Sequence, residues 1–400
     1  MCTRWIMVAG WIAALLLMGS GQPARGQAEA RAEPTARPAS ILDDPFVREQ
    51  GKRGVDLLYN MQFKAAEDIF NRIGRRYPNH PVGPFLKGLN IWWNHIMLNL
   101  EDPSHDDAFY AAMDRVIARC DRMLERDPEA LDALFLKGAA LGFRARLASN
   151  RSAWLQAVMD GKRAIGYVRQ AGELAPQDPD YIFGKGMYDY YAAILPKHYT
   201  AAKAVTFFLP NGDREAGLSA LRRAAKDGHF IQTEAVYYLL QVNYLYERNY
   251  RNAVQHVTWL RRQHPQNPYF HIYEGRVQAR WGRWREAKPL FEAVLARYQA
   301  GKTGYNQSFA EQALYYLTRA QMAEAAYEDA LRSLVQLDAL TAQQESSTYR
   351  TYGRLRQGMV YDALDKRAAA ERCYREVLAM DDPGGVHDRA EQYLETPYGR

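Results

Sequence analysis

Small and apolar residues return along this chain in a fixed rhythm, set out first between Gly54 and Gly88. Ala66 follows Gly54 by 12 residues, Phe70 comes 4 later, Pro78 8 later and Gly88 10 later, a period of 34. That spacing predicts a pair of antiparallel helices. A Gly on the first and an Ala on the second let the two axes approach closely, with Phe70 and Ile73 filling the seam. Pro78 then ends the second helix. Gly inside a helix costs about 1 kcal/mol against Ala, so its return at one phase is a packing signal. Alternating β-branched runs and Asn-Gly hairpins are nearly absent, and the chain reads as mostly helix.

The markers persist beyond Gly88 but stretch. Cys120 and Val168 take the Phe position, Pro128 and Pro176 the Pro position, and Gly138 and Gly186 each lie 10 residues further on. From Gly to the Ala-like position the gap grows to 28 (Val116), 26 (Ala164) and 30 (Ala216). These middle pairs therefore need longer helices, an extended loop or an extra short helix. Leu195-Pro196 and Leu209-Pro210 break the third insertion, and Asp213 reads as the N-cap of the helix after it. The compact spacing resumes at Gly275, Ala287 and Phe291, and again at Gly358, Ala370 and Tyr374.

This pattern resembles the tetratricopeptide repeat (TPR), with its 34-residue period and its W-x2-L-G-x2-Y…A-x3-F…P signature. The resemblance covers roughly residues 45–382. It implies an all-α, right-handed superhelical solenoid of about eight antiparallel helix pairs, the middle ones enlarged, with residues 383–400 as a capping helix and tail. The stretch from Leu195 through Gly212-Asp213-Arg214 to Tyr250 is also similar to a eukaryotic TPR family linked to inclusion-body clearance. One TPR activity is disfavoured. The clamp for chaperone tails needs Lys three residues before the Gly and Asn after it, where this chain has Phe85 and Leu89, Phe135 and Ala139, Phe183 and Met187.

Composition changes the picture mainly at the amino terminus. Arg4 precedes the apolar run Trp5 to Met18, too short to span a bilayer comfortably, so residues 1–28 read as a secretory signal peptide. An uncleaved anchor is the other reading. Residues 29–44, rich in Ala, Pro and charge, read as a flexible linker. The expectation is an exported protein, periplasmic or secreted, that meets the outer membrane only peripherally. Losing Arg4 and Arg25 lowers the formal net charge from +6 to +4, spread over many helices, and nucleic acid is not indicated. Cys120 and Cys373 fall in distant repeats and read as buried free thiols.

No His-Glu-x-x-His, Cys-x-x-Cys, Gly-x-Ser-x-Gly or phosphate loop occurs, and the chain is read as a non-enzyme without metal or cofactor. The densest polar cluster, Glu101 to Asp107, reads as a loop feeding a helix N-terminus. Function then rests on the faces of the first helices. In the TPR register the middle repeats present Phe85, Trp92, Trp93, Phe135, Phe143, Phe183, Tyr190 and Tyr191, as a ligand groove or as ordinary core. The C-terminal repeats present Tyr269, Arg276, Arg280, Tyr315 and Arg319, whose cations suit partner carboxylates. The leading expectation is an envelope scaffold or adaptor for proteins or peptides. The alternative is a binder of an apolar or glycan-like small molecule.

Overall fold

The computed structural model describes residues 40–100, 102–198, 211–344 and 346–399. The expected signal peptide, Glu101 and Leu209-Pro210 lie outside them. Among the described residues there are 17 α-helices and no strand. In chain order they are α1 (Pro45–Tyr59), α2 (Phe63–Arg76), α3 (Val82–Ile91), α4 (Asp106–Leu124), α5 (Leu131–Asn150), α6 (Trp154–Leu174), α7 (Pro179–His198) and α8 (Arg214–Asp227). Then come α9 (Gln232–Gln241), α10 (Tyr250–Gln263), α11 (Pro268–Arg280), α12 (Trp284–Gln299), α13 (Gln307–Ala323), α14 (Tyr327–Thr341), α15 (Thr348–Ala363), α16 (Arg367–Leu378) and α17 (Val386–Glu395). The order gives eight pairs and a final single helix. None of the described helices is long and apolar enough to cross a membrane.

The chain forms two compact units that divide at Leu239 and Leu240. In the N-terminal unit each helix from α1 to α8 packs on the next, and α3 also meets α5. In the C-terminal unit the same holds from α10 to α17, with α11 on α13, α13 on α15 and α15 on α17. Contact with the next helix and the next but one is what stacked hairpins of a TPR-like solenoid produce.

Glycines set the closest approaches. A Cβ at Gly54 would strike the ring of Phe70, one at Gly275 would come within 2.6 Å of Phe291 Cε1, and one at Gly358 would strike Tyr374. The three compact repeats thus share one lock, a bare glycine under an aromatic ring. The second repeat departs from the expected register. Gly88 sits over Ala112 and Met113, about one turn before Val116 and two before Cys120, because the flexible Met113 side chain fills the place a ring would take. Cys120 is nevertheless buried and free, as is Cys373, and burial pushes the Cys120 thiol up to about 12.

The insertions resolve physically. In the third pair they are helix length, 20 residues for α5 and 21 for α6 against 15 and 14 in α1 and α2. In the second pair, α3 runs into a π turn, Trp92–Ile96, and then a loop. A second π turn, Val242–Tyr246, follows α9. Asp213 caps α8 as expected, accepting from the amides of Glu215 and Ala216. Folded structure begins inside the segment read as a linker. Ser40 caps a 3-10 turn, Ile41–Asp43, whose Leu42 is buried, and Asp44 caps α1 through the amides of Phe46 and Val47.

In the C-terminal unit His271 is 2% exposed, with Nδ1 3.0 Å from Tyr305 Oη. Burial, with Arg261 and Arg297 nearby, pushes its pKa down to about 3. The folded ring therefore stays neutral while the unfolded one takes up a proton near pH 6.5. This contribution to stability is complete above that pH and is lost as pH falls toward 3.

Three outcomes test this structure. Gly138→Leu, whose Cβ would lie 2.6 Å from Val168 Cγ1, should destabilise by about 1–3 kcal/mol in chemical denaturation. Gly142→Ala, one turn on and with no atom within 4 Å of its Cβ, should stabilise by up to about 1 kcal/mol. Unfolding free energy should also fall between pH 6.5 and 5 by up to about 1.4 kcal/mol per pH unit from His271. A His271→Gln variant that keeps the whole slope would contradict that assignment.

Candidate functional site

The described residues place the expected positions in two different settings, one in each unit. In the N-terminal unit, Phe85 on α3, Phe135 and Phe143 on α5 and Phe183 on α7 line a cavity of about 230 Å³. Val55 of α1, Ile165 of α6 and Phe230, just before α9, close it further. Trp92, Trp93, Tyr190 and Tyr191 do not line it. Trp92 packs on Phe109 and Phe143 at 5.4 and 5.2 Å, Trp93 on Tyr59 at 4.9 Å, and Tyr190 on Tyr191 at 5.3 Å. All four are core, and the π turn brings the neighbouring Trp92 and Trp93 both inward.

Two buried carboxylates hold the cavity walls. Asp132 on α5 accepts from Ser40 Oγ at 2.6 Å, the Ile41 amide at 2.7 Å and Tyr181 Oη at 3.1 Å, with His80 Nε2 3.4 Å away. Burial alone would raise its pKa; the hydrogen bonds from His80, Ile41 and Ser40 bring it below the usual carboxylate value. This anchor draws Leu42 onto the cavity. Asp180 on α7 accepts the amides of His229, Phe230 and Ile231, each at 3.0 Å, and so fixes the start of α9.

That start positions the polar end of the cavity. Tyr59 Oη donates to Glu234 Oε1 at 2.8 Å, while Glu234 Oε2 is buried with no hydrogen-bond partner among the described residues. Arg146 and Tyr238 line the same end. Burial raises the Glu234 pKa, against the pull of Arg146 and the Tyr59 hydroxyl. The TPR offsets also place Tyr59 and Tyr238 on the groove line, whereas Arg146 and Glu234 have no place in that register. Glu234 belongs to a helix whose start is held by Asp180, through contacts across 49 to 51 residues of chain that no local spacing reveals.

In the C-terminal unit, Arg276, Arg280 and Arg319 come together in a cleft of about 350 Å³ with Arg248, Tyr244, Tyr250, Ala279 and Tyr316. Its lining holds four guanidinium groups and no carboxylate. Arg276 is 7% exposed, its charge 4.7 Å from the Tyr273 ring centre. Its Nε is buried without a hydrogen-bond partner, and no carboxylate pairs with it among the described residues. Arg319 lies over Trp284 at 5.1 Å and Tyr316 at 5.5 Å. Burial pushes the Tyr316 hydroxyl up, so it stays a neutral donor. Tyr269 and Tyr315 fall elsewhere. Tyr269 is buried against Tyr273 at 5.1 Å, and Tyr315 packs at a tilt against Tyr349 and Tyr352 at 5.7 and 5.6 Å. Arg248 and Tyr250 follow a π turn, which shifts the helical phase on which the TPR offsets depend.

The polar loop near Asp102 is structural in its visible part. Arg151 grips Asp106 through Nε and Nη2 at 2.6 and 2.9 Å, and His105 stacks on His95 at 3.6 Å. Among the described residues no three His, Cys, Asp or Glu side chains converge as a metal site would need.

Comparison with known proteins agrees with the repeat reading. A sequence model of the family described as Iml2/Tetratricopeptide repeat protein 39 matches residues 182–374, just under half of the chain. The match spans the Leu195–Tyr250 stretch. No curated protein matches significantly. Among solved structures, human IFIT1, determined as a dimer with PPP-AAAA, is 12% identical with a TM-score of 0.40, covering 80% of this chain and 69% of that one. The P58(IPK) TPR domain is 14% identical with a TM-score of 0.26, covering 88% of this chain and 99% of its own. Those superpositions are loose, and the fold reading rests on the helix pairs themselves.

A buried guanidinium without a counterion contributes little to stability, and an apolar side chain of similar volume is often neutral or better. Arg276→Met should therefore leave the unfolding free energy unchanged or raise it by about 1 kcal/mol. A loss above about 2 kcal/mol in urea denaturation would make Arg276 a structural residue.

Proposed function

We propose that this chain is an exported, non-catalytic TPR-like adaptor that holds partner proteins of the cell envelope through the C-terminal cleft. The observation that carries this reading is the lining of four arginines with no carboxylate among them. A charged group taken out of water is costly unless paired, and the side chain of Arg276 is buried without such a pair. A partner segment bearing Asp or Glu would supply the missing anions, and Arg forks bind carboxylates bidentately. Tyr244, Tyr250 and Tyr316 add apolar area with polar tips, the composition that peptide-binding surfaces favour. The helix-pair fold supports a scaffold, since stacked repeats bind through the surface they build. Export is supported by the apolar run from Trp5 to Met18 behind Arg4.

The test is fluorescence anisotropy with a labelled, Asp- and Glu-rich peptide, beside its Asn- and Gln-substituted counterpart. The acidic peptide should bind, more weakly as salt rises, and the neutral one should not. Arg280→Glu with Arg319→Glu should weaken binding at least tenfold, about 1.4 kcal/mol, with an unchanged melting temperature. Equal binding of both peptides, or indifference to the charge reversal, would sink the reading.

A further inference from the structure

We infer that the N-terminal cavity is a binding site for an aliphatic alcohol, an unbranched apolar molecule of moderate length ending in one hydroxyl. The inference is independent of the C-terminal cleft. The body of the ligand follows from the walls. Val55, Phe143, Ile165 and Phe230 come from four parts of the unit and offer nothing polar to a ligand's middle. At about 230 Å³ the space is roughly half as large again as an engineered apolar cavity of about 150 Å³ that takes up benzene.

Protein interiors are close-packed, and volume left inside them lowers stability. Here the sequence passes over a simple way to fill it. Gly142 lies mid-helix in α5 and on the cavity wall, and a Cβ there would meet no atom within 4 Å. A larger side chain would fit that position and would suit the helix better by up to about 1 kcal/mol. Gly138, one turn earlier, is different, because Val168 leaves no room for a side chain there. Packing therefore explains Gly138 and does not explain Gly142.

The head group follows from the polar end. Glu234 Oε1 is used by the Tyr59 hydroxyl, while Oε2 is buried and lacks a donor. Arg146 lines the same end and already leans on the Trp92 ring, 5.0 Å from its centre. A carboxylate head would oppose Glu234 and an ammonium head would oppose Arg146. A hydroxyl donates one hydrogen bond and accepts others, so it can satisfy Oε2 without adding charge beside Arg146.

The probe is 1-decanol, measured by isothermal titration calorimetry on the purified full chain, with decanoate and decylamine as comparisons. Decanol should bind one per chain, at least tenfold more tightly than either charged analogue. Glu234→Leu should erase most of that preference while leaving uptake of the apolar chain. Gly142→Leu should abolish binding while its melting temperature stays at or above that of the wild type, which separates a filled cavity from a misfolded chain. Should the Gly142 variant unfold, Ile165→Phe on α6, which also lines the cavity, gives the same reading. No saturable heat with wild type, or undiminished binding in the cavity-filling variant, would overturn the site. Equal binding of decanoate or decylamine would overturn the head-group assignment. Because acidic-peptide binding is read at the other unit, its failure and a failure here are distinguishable.

Discussion

The close approach of paired helices depends on one steric exchange, the missing side chain of a glycine for the ring of an aromatic residue. Gly54 lies under Phe70, Gly275 under Phe291 and Gly358 under Tyr374, each ring taking the space that a Cβ would occupy. The rings are buried, so apolar area is removed from water where the two backbones come nearest. A hairpin locked in this way still has an apolar outer face, which only the next hairpin can cover. Stacking follows from that, and the contacts between alternate helices of the C-terminal unit are its trace.

This exchange explains what the sequence discloses. Gly and ring stand 16 residues apart in all three compact repeats, because the distance from one helix across a tight turn to the next is fixed by helix geometry. Local constraints of this kind repeat in one dimension and can be counted. Where a flexible side chain replaces the ring, the count slips. Met113 reaches under α3 about one turn before Val116 and two before Cys120, the residues that spacing nominates, and nothing in a sequence marks which turn a methionine will serve. The extra residues of the middle repeats show the same limit, appearing as helix length in α5 and α6 but as a π turn and loop after α3.

The sites were legible only in part, for a related reason. Phe85, Phe135, Phe143 and Phe183 share a cavity because each lies on the first helix of a pair at a similar phase. Trp92 and Trp93 leave that set because the π turn rotates them into the core. Arg276, Arg280 and Arg319 converge on the cleft, yet Tyr269, about two turns before Arg276, and Tyr315, about one turn before Arg319, are taken up by packing against other tyrosine rings. Glu234 had no signature at all. Its position depends on Asp180 holding three amides before α9, a tertiary constraint invisible to any repeat offset.

Both candidate sites are places where local consistency is given up. A mid-helix glycine with open space beside it and a buried arginine without a counterion each lower stability relative to an available substitute. Natural chains break such rules where something other than folding is selected. The two violations are also complementary in chemistry. One leaves an apolar volume with a single unpaired acceptor, the other an excess of cations among aromatic rings. The first is suited to a small neutral amphiphile and the second to an acidic chain. Neither needs a reactive side chain, since each acts by leaving its own groups incompletely satisfied until a ligand arrives.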